Sequence, residues 1–294
     1  MSSTASSSAP SPERGGTAPR EGWVARHQLS LFFALAFLLS WSVWPLVLLE
    51  PDSSPMVPFG PTIAALVVTA LVGGWRAIGD LLRQLARWRV HPLWYAIAVL
   101  GPFALTSLAA AAVVAGGAPS PDWSAYTDWS GLLVTLLSTA AIVGLFEEPG
   151  WRGYALPMLQ RDRSALAAAV LLGVVWAVWH LPELISDAGE REPLPYLIAV
   201  VAWSVVLAWV YNSTGGSLLL VILMHAAINT AMKFLMPTFG VDHYDNGFWA
   251  MAAVWTLAAA AVVAVAGPRR LRTDLRLRRT AGTRASRRRR TATD

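Results

Sequence analysis

The sequence contains no cysteine among its 294 residues. This absence excludes disulfide frameworks, thiolate zinc sites, a cysteine nucleophile and lipid attachment through cysteine. Lysine is almost absent as well: Lys233 is the only lysine, and the other strongly basic residues are all arginine. Abundant arginine and alanine are typical of GC-rich bacterial genomes, so we expect a bacterial source, which the genomic base composition would test.

Charge is also scarce, since charged residues make up 14% of the chain while 55% of its residues are hydrophobic. A water-soluble surface needs more charge than this, so the composition indicates a membrane protein. The net charge of +5 does not indicate a nucleic-acid partner, because the arginines flank apolar runs or lie in the tail. We expect contacts with membrane lipids and none with nucleic acid.

Apolar stretches long enough to cross about 30 Å of hydrocarbon recur along the chain. They lie near residues 29–49, 60–75, 93–115, 130–157, 165–182, 195–211, 217–235 and 248–266. The sequence therefore predicts an all-α polytopic membrane protein, a bundle of about eight transmembrane helices. Between the second and third stretches, the segment from Arg76 to His91 mixes arginines with leucines and predicts an amphipathic helix on the membrane surface.

The loops between these stretches are alternately rich and poor in arginine. Because cytoplasmic loops carry the excess of positive charge, this alternation predicts that the N- and C-termini are both cytoplasmic. Residues 1–25, rich in Ser, Pro, Ala and Gly, predict a disordered cytoplasmic leader. Residues 26–267 would form the transmembrane domain, and residues 268–294 a basic, disordered cytoplasmic tail near anionic lipid.

The fourth stretch contains Glu147, Glu148 and Arg152 within otherwise apolar sequence. A charged group in the middle of a transmembrane helix costs about 2.5–3.5 kcal/mol on insertion scales, so such residues usually have a structural or functional role. Glu148 and Arg152 are four residues apart and can form an ion pair on one helix face. Glu147 points about 100° away from that pair. It lacks this counter-ion and is a candidate general base.

Histidines and an amide lie in two later stretches. His180 ends the fifth stretch, and Trp176, one turn earlier on the same face, would brace its imidazole. His225 and Asn229 share one face of the seventh stretch, where both can donate hydrogen bonds toward one point. These groups reach the same depth as Glu147 only if the fourth helix continues through Pro149.

Each of these residues alone has a structural explanation, because intramembrane histidines, amides and ion pairs often hold helices together. Together they supply a base, a charge-orienting pair and two oxyanion donors, which are the components for adding water to a carbonyl group. The signatures of zinc-helix, aspartyl and serine proteases are missing from the sequence. Two other functions stay open: a non-proteolytic bacteriocin-immunity or membrane scaffolding protein, and a transporter that uses the carboxylates as an ion relay.

In this order, the elements Glu-Glu-x-x-x-Arg, aromatic-x-x-x-His and His-x-x-x-Asn resemble the CAAX protease and bacteriocin-processing (CPBP, or Abi) family of intramembrane endopeptidases. The resemblance covers residues 130–235, and Glu-Glu-Pro-Gly-Trp-Arg-Gly-Tyr-Ala-Leu-Pro is similar to one bacterial branch. It implies an eight-helix fold in a bacterial plasma membrane. It also implies hydrolysis of a peptide bond in a membrane-associated protein or peptide.

The same resemblance implies four catalytic residues, namely Glu147, His180, His225 and Asn229. The first two would activate water, and the last two would hold the tetrahedral oxyanion. Three further residues would support the site, namely Glu148, Arg152 and Trp176. Trp176 departs from the phenylalanine that is usual in the family, a change that keeps an aromatic brace.

A metal cofactor is the remaining alternative at this site. Two histidines and a glutamate are the ligands of some catalytic zinc sites, so Glu147, His180 and His225 are the candidate metal ligands. A metal on His225 would remove one oxyanion donor, and the adjacent Glu147 and Glu148 cannot both face one ion from a regular helix. We therefore expect no obligatory metal cofactor. We also expect the site to open toward the cytoplasmic half of the bilayer.

Overall fold

The computed structural model describes residues 22–50, 53–186, 192–239 and 241–275. In these ranges the chain is a bundle of long helices, and no strand is present, so the predicted all-α polytopic class is confirmed. We number the long helices in chain order. They are α1 Gln28–Trp41, α2 Gly60–Arg83, α3 Leu93–Ala115, α4 Trp129–Leu159, α5 Ala165–Trp179, α6 Pro193–Ser213, α7 Leu218–Leu235 and α8 Val241–Ala266.

The described helices have the lengths and surfaces of membrane spans. Seven helical segments are long and apolar enough to cross a bilayer. The remaining predicted span, 165–182, corresponds to the shorter apolar helix α5 and the start of the short helix Leu181–Ser186. The bundle also exposes large aliphatic side chains that a water-soluble protein would bury, including Leu38, Leu71, Leu100, Leu137 and Leu257. The chain is therefore a multi-pass membrane protein.

Two helices, α6 and α7, form the centre of the bundle. In each of them 67% of the apolar window is buried, against 17–33% in the other membrane-length helices. Helix α6 packs against α5 and α8, while α7 packs against α3 and α4. Glycine allows the close contacts, since a side chain at Gly173 of α5 would collide with Val201 and Ser204 of α6. Residues on α5 and α6 are thus held at short range in the centre of the bundle.

Helix α2 bends at Gly74, whose φ of 65° is a conformation that residues with a side chain rarely adopt. The bend separates a membrane-crossing part from a C-terminal arm that carries arginines and ends in the 3₁₀ turn Gln84–Ala86. Trp75, just after the bend, is 86% exposed. The amphipathic surface helix predicted over Arg76 to His91 is therefore present in part, as this arm, and the chain leaves helical conformation at Arg87.

Helix α4 continues through Pro149, which is the condition for Glu147 to reach the depth of the histidines. Proline has no N–H and cannot complete a regular α-helical turn. Here the wider π-helical turn Pro149–Ala155 carries the helix on to Leu159. Such π turns recur at functional sites. Gly150 lies against the backbone of Pro61 at the start of α2, leaving no room for a side chain. Helix α4 is therefore clamped beside α2 at the level of the buried carboxylates.

Both ends of the described chain lie on one face of the bundle. Gln28, which begins α1, lies 3.4 Å from the Tyr154 hydroxyl oxygen near the end of α4. The backbone N–H of Ala165, which begins α5, donates to the carbonyl of Arg269 after α8 at 3.1 Å. Seven arginines line the clefts of this face, which we call the basic face: Arg83, Arg87, Arg161, Arg163, Arg269, Arg270 and Arg272. The cytoplasmic location of both termini stays a prediction.

Part of the predicted disordered tail is ordered. The carbonyls of Pro268 and Arg269 accept hydrogen bonds from the first turn of α5, and Leu271 is completely buried. Residues 268–275 therefore form a strap that caps α5, because the N–H groups of a first helical turn have no partner within the helix. This corrects the prediction for 268–275. The leader was predicted over residues 1–25, and its last residues belong instead to the short helix Trp23–Arg26. The leader up to residue 21 and the tail from residue 276 onward lie outside the described residues.

Candidate active site

A cavity of about 620 Å³ lies between α4, α5, α6, α7 and α8. The four residues predicted to be catalytic all line it: Glu147, His180, His225 and Asn229. Most of the remaining wall is aromatic or aliphatic. The helical bundle thus brings side chains from α4, from the end of α5 and from α7 together around one cavity. The spacing of residues along each helix could not establish this arrangement.

Glu147 is buried, with 3% of its surface exposed, and its carboxylate is held by α5. The indole N–H of Trp176 donates a hydrogen bond to Glu147 Oε2 at 3.0 Å. From the sequence, Trp176 was expected only to brace His180. The structure gives this indole a second task, because its hydrogen bond fixes the orientation of the carboxylate that faces the cavity.

Glu148 joins the buried Arg152 and His225 instead of facing the cavity. Its Oε1 accepts from Arg152 Nη1 at 2.8 Å, so the ion pair predicted from the spacing of four residues is present. The same oxygen lies 2.7 Å from His225 Nδ1. The guanidinium of Arg152 also lies over the Trp176 ring, 4.3 Å from its centroid. Glu148 therefore ties α4 to α7 and orients the imidazole of His225.

His180 caps the end of α5, where its imidazole lies between aromatic rings. Its Nδ1 is 2.8 Å from the carbonyl oxygen of Trp176 in the same helix. The ring packs edge-on against Trp179 and Tyr196, with centroid distances of 5.0 and 5.6 Å. These contacts hold His180 at the cavity wall, between Trp179 of α5 and Tyr196 of α6.

The partners of the two histidines define which ring nitrogen carries a proton. A carbonyl oxygen and a carboxylate can only accept, so Nδ1 of His180 and Nδ1 of His225 are donors. In a neutral imidazole, Nε2 then has no proton and can accept one. His225 can donate to an oxyanion through Nε2 only as an imidazolium. The side-chain amide of Asn229 does not titrate, so it can donate whatever the protonation state of His225.

Asn229 is half-buried on the cavity wall, one helical turn from His225. Its side-chain amide makes no hydrogen bond to the described part of the chain, whereas the carboxylates of Glu147 and Glu148 do. An amide positioned this way can donate to a substrate oxygen without first breaking an internal hydrogen bond.

The cavity opens away from the basic face. Exposed members of its wall, Ser54, Lys233 and Pro237, lie before α2 and at or beyond the end of α7. Those helix ends are opposite the ends that carry the arginine clefts. Two predictions therefore conflict: if the arginine-rich face is cytoplasmic, the site does not open toward the cytoplasmic half. The structure places the opening opposite the basic face, and which of these two faces is cytoplasmic stays a prediction.

Several residues of the cavity wall were not predicted from the sequence. Tyr196 of α6 packs on His180, and Lys233 of α7 stands one turn beyond Asn229. Tyr196 gives no sequence signal, because aromatic residues are common in membrane helices. Lys233 did give one, since it is the only lysine and continues the spacing of four from His225 through Asn229.

The sequence left a metal at this site as an alternative, with Glu147, His180 and His225 as its candidate ligands. Within the described ranges, no three His, Asp or Glu side chains are grouped closely enough to hold an ion. Glu148, beside the candidate ligands Glu147 and His225, already shares Oε1 between Arg152 and His225. We therefore derive no chemical step through a metal.

Trp176→Phe is expected to lower kcat about ten- to hundredfold with little change in KM. The substitution keeps an aromatic ring but removes the hydrogen bond to Glu147, and hydrogen bonds to charged groups contribute about 1.5–3 kcal/mol. Steady-state kinetics on a cleaved peptide would measure the effect. Trp255→Phe is the matched control, because this fully buried indole N–H has no hydrogen-bond partner in the described chain. Equal kcat values for both variants would show that the Trp176 hydrogen bond is irrelevant.

Two comparisons with known proteins find similarity in the segment that forms this site. The sequence profile of the family described as Type II CAAX prenyl endopeptidase Rce1-like matches residues 129–231, which run from the start of α4 into α7. Among curated proteins, CAAX prenyl protease 2 of Methanococcus maripaludis is 29% identical over 153 residues.

The alignment with that archaeal relative covers 49% of this chain and 53% of the relative, so the chain spans about half the length of the protein it matches. The segment matched by the profile contains the buried carboxylates, both histidines and Asn229. Through this segment, the chain is similar to the Rce1-like CAAX prenyl endopeptidases, and its helices are those of a polytopic membrane protein.

Proposed function

We propose that this chain is an intramembrane endopeptidase that hydrolyses a peptide bond of a membrane-associated protein or peptide. The observation that carries the proposal is the single cavity lined by Glu147, His180, His225 and Asn229. The similarity to Rce1-like CAAX prenyl endopeptidases supports it, since the profile match covers all four residues. A scaffolding role would need only the buried ion pair and would not need an amide donor on a cavity wall.

In the proposed reaction, Glu147 removes a proton from a water molecule while the water oxygen attacks the carbonyl carbon of the scissile bond. His180, on the cavity wall, orients the same water. Protonated Glu147 then gives its proton to the leaving nitrogen as the carbon–nitrogen bond breaks. The products are one new carboxyl group and one new amine, so the atoms balance.

The oxyanion of the tetrahedral intermediate would lie between Asn229 and His225. The Asn229 amide donates one hydrogen bond, and His225 donates a second from Nε2 when it is an imidazolium. Glu148 and Arg152 act through His225, because Glu148 Oε1 holds its Nδ1 at 2.7 Å. The ion pair would therefore be a positioning element rather than a reactive one.

The proposal is tested by comparative peptidomics of cells that carry wild type or Glu147→Ala. Substrates should accumulate uncut in the variant, and the new termini seen with wild type should disappear. Identical peptide profiles at equal expression would contradict the proposed hydrolysis. The same data would identify the substrate and the position of the cleaved bond.

Exhaustive chelation is expected to leave cleavage unchanged. The reason is that the described site offers no group of three side chains arranged as metal ligands. Activity would be measured after dialysis against a strong chelator and again after zinc is added back. Loss of activity on chelation, followed by recovery with zinc, would overturn the metal-independent mechanism.

The cavity is expected to open on the extracytoplasmic side, because it faces away from the arginine-rich helix ends. The absence of cysteine makes this directly testable with single introduced thiols. Ser54→Cys places a thiol at the exposed cavity wall, and Ala86→Cys places one on the basic face. A membrane-impermeant maleimide should label Ser54→Cys in right-side-out vesicles and Ala86→Cys in inside-out vesicles. The reverse pattern would place the cavity on the cytoplasmic side.

A further inference from the structure

Lys233 is an exposed cation on the wall of the active-site cavity. It is the only lysine of the chain. No carboxylate of the described residues lies within 4.0 Å of its ammonium group, although Glu183 lines the same cavity. By contrast, the buried Arg152 is paired with Glu148. Lys233 thus has a charge that the described fold does not use.

The position of Lys233 is also unusual for a basic residue of this chain. The arginines gather on the basic face, whereas Lys233 lies near the far end of α7, at the mouth of the cavity. An ionisable residue of a membrane span that faces a cavity commonly marks the path of a ligand, and Lys233 lines this cavity. The remaining titratable groups of the wall are Glu147, Glu183, His180, His225 and the tyrosines Tyr196 and Tyr244.

Lys233 is aligned with the proposed oxyanion donors. His225, Asn229 and Lys233 are spaced by four residues and therefore follow one face of α7. Four residues advance the helix by about 6 Å, and a lysine side chain extends about as far again. An extended peptide advances about 3.3 Å per residue. A substrate group two or three residues from the scissile carbonyl would thus reach the ammonium.

We propose that Lys233 binds a carboxylate of the substrate and so selects which peptide bond lies beside Glu147. The inference rests on the proposed endopeptidase function. The carboxylate is either the C-terminus of the substrate or an aspartate or glutamate side chain beyond the scissile bond. Since Lys233 is the one lysine or arginine among the described residues that line the cavity, it would set the register of the peptide.

The test uses an N-palmitoylated peptide library with randomised positions, presented to the purified protein in zwitterionic lipid vesicles. The library is made with a free C-terminal acid, with a C-terminal amide, and with a C-terminal amide plus a glutamate near the C-terminus. Wild type should cleave at least one carboxylate-bearing form with a kcat/KM about tenfold above the plain amide, mainly through KM. The form that is preferred identifies the source of the carboxylate.

Lys233→Gln should bring the ratio of acid to amide cleavage to about one, and Lys233→Arg should preserve the wild-type ratio. Arg163→Gln, which removes an exposed cation from the basic face, is the control and should also keep the wild-type ratio. A Lys233→Gln ratio equal to that of wild type would overturn the inference.

A binding measurement separates this inference from the endopeptidase proposal. Glu147→Gln protein should bind fluorescent acid-form peptides more tightly than amide forms, and adding Lys233→Gln should remove the difference. If wild type cleaves no library, the proposed function is contradicted, while this binding comparison still decides the role of Lys233. Equal affinities of Glu147→Gln protein for all forms would overturn the Lys233 assignment.

Discussion

Glu147→Gln is expected to abolish detectable cleavage while leaving the helical bundle folded. Glutamine has the shape of glutamate, and its side-chain oxygen can still accept the hydrogen bond from Trp176 Nε1. It cannot take a proton from water at neutral pH, so the general-base step is lost. Positioned bases contribute roughly 10²- to 10⁴-fold to rate, and a loss of that size should appear in kcat.

The control is Glu50→Gln, the same substitution at an exposed carboxylate outside the cavity wall. Its kcat should equal that of wild type. Thermal unfolding in detergent should give the same midpoint for wild type and Glu147→Gln, which separates lost chemistry from lost structure. Cleavage at the wild-type rate by folded Glu147→Gln would eliminate Glu147 as the base and remove the central residue of the proposed mechanism.

Arg152→Met is expected to destabilise the helical bundle strongly. The Arg152 guanidinium is completely buried, and its removal leaves Glu148 without its arginine partner in a site that excludes water. Breaking a buried ion pair by removing one partner typically costs about 3–5 kcal/mol. The contact between Arg152 and the Trp176 ring is lost as well. Catalysis should fall too, since Glu148 orients His225.

The free energy of unfolding, measured by denaturant titration in mixed micelles, would test this expectation. The double variant Glu148→Gln with Arg152→Met should lose less stability than the two single losses added together, because it leaves no uncompensated buried charge. Arg83→Met is the matched control, since its ion pair with Asp80 also lies within one helix but is exposed. It should change stability little. Additive losses in the buried pair would show that Glu148 and Arg152 are not coupled.

The sequence by itself determined the features that depend on local geometry. Apolar stretches of membrane length define the helices, because an unsatisfied backbone in lipid leaves few other structures. The spacing of four residues was enough to predict the Glu148–Arg152 pair, since such neighbours share a face on any α-helix. The same reasoning placed His225 and Asn229 together on α7.

The tertiary structure alone decided how these faces meet. Trp176 and Glu147 are 29 residues apart, and their hydrogen bond depends on how α5 and α4 pack in the bundle. Glu148 reaches His225 across 77 residues for the same reason. Close contacts such as Gly150 against Pro61 set the relative depth and rotation of the helices.

The direction in which the cavity opens likewise follows from helix packing. So does the ordered conformation of the strap 268–275. Periodicity along one helix carries information about its own faces, whereas the opening of a cavity depends on the ends of five helices at once. The strap is held by backbone bonds to the first turn of α5 and by the buried Leu271, contacts between segments roughly a hundred residues apart. Sequence therefore determined which residues could act, and the tertiary structure decided which of them share one cavity and from which side a substrate reaches them.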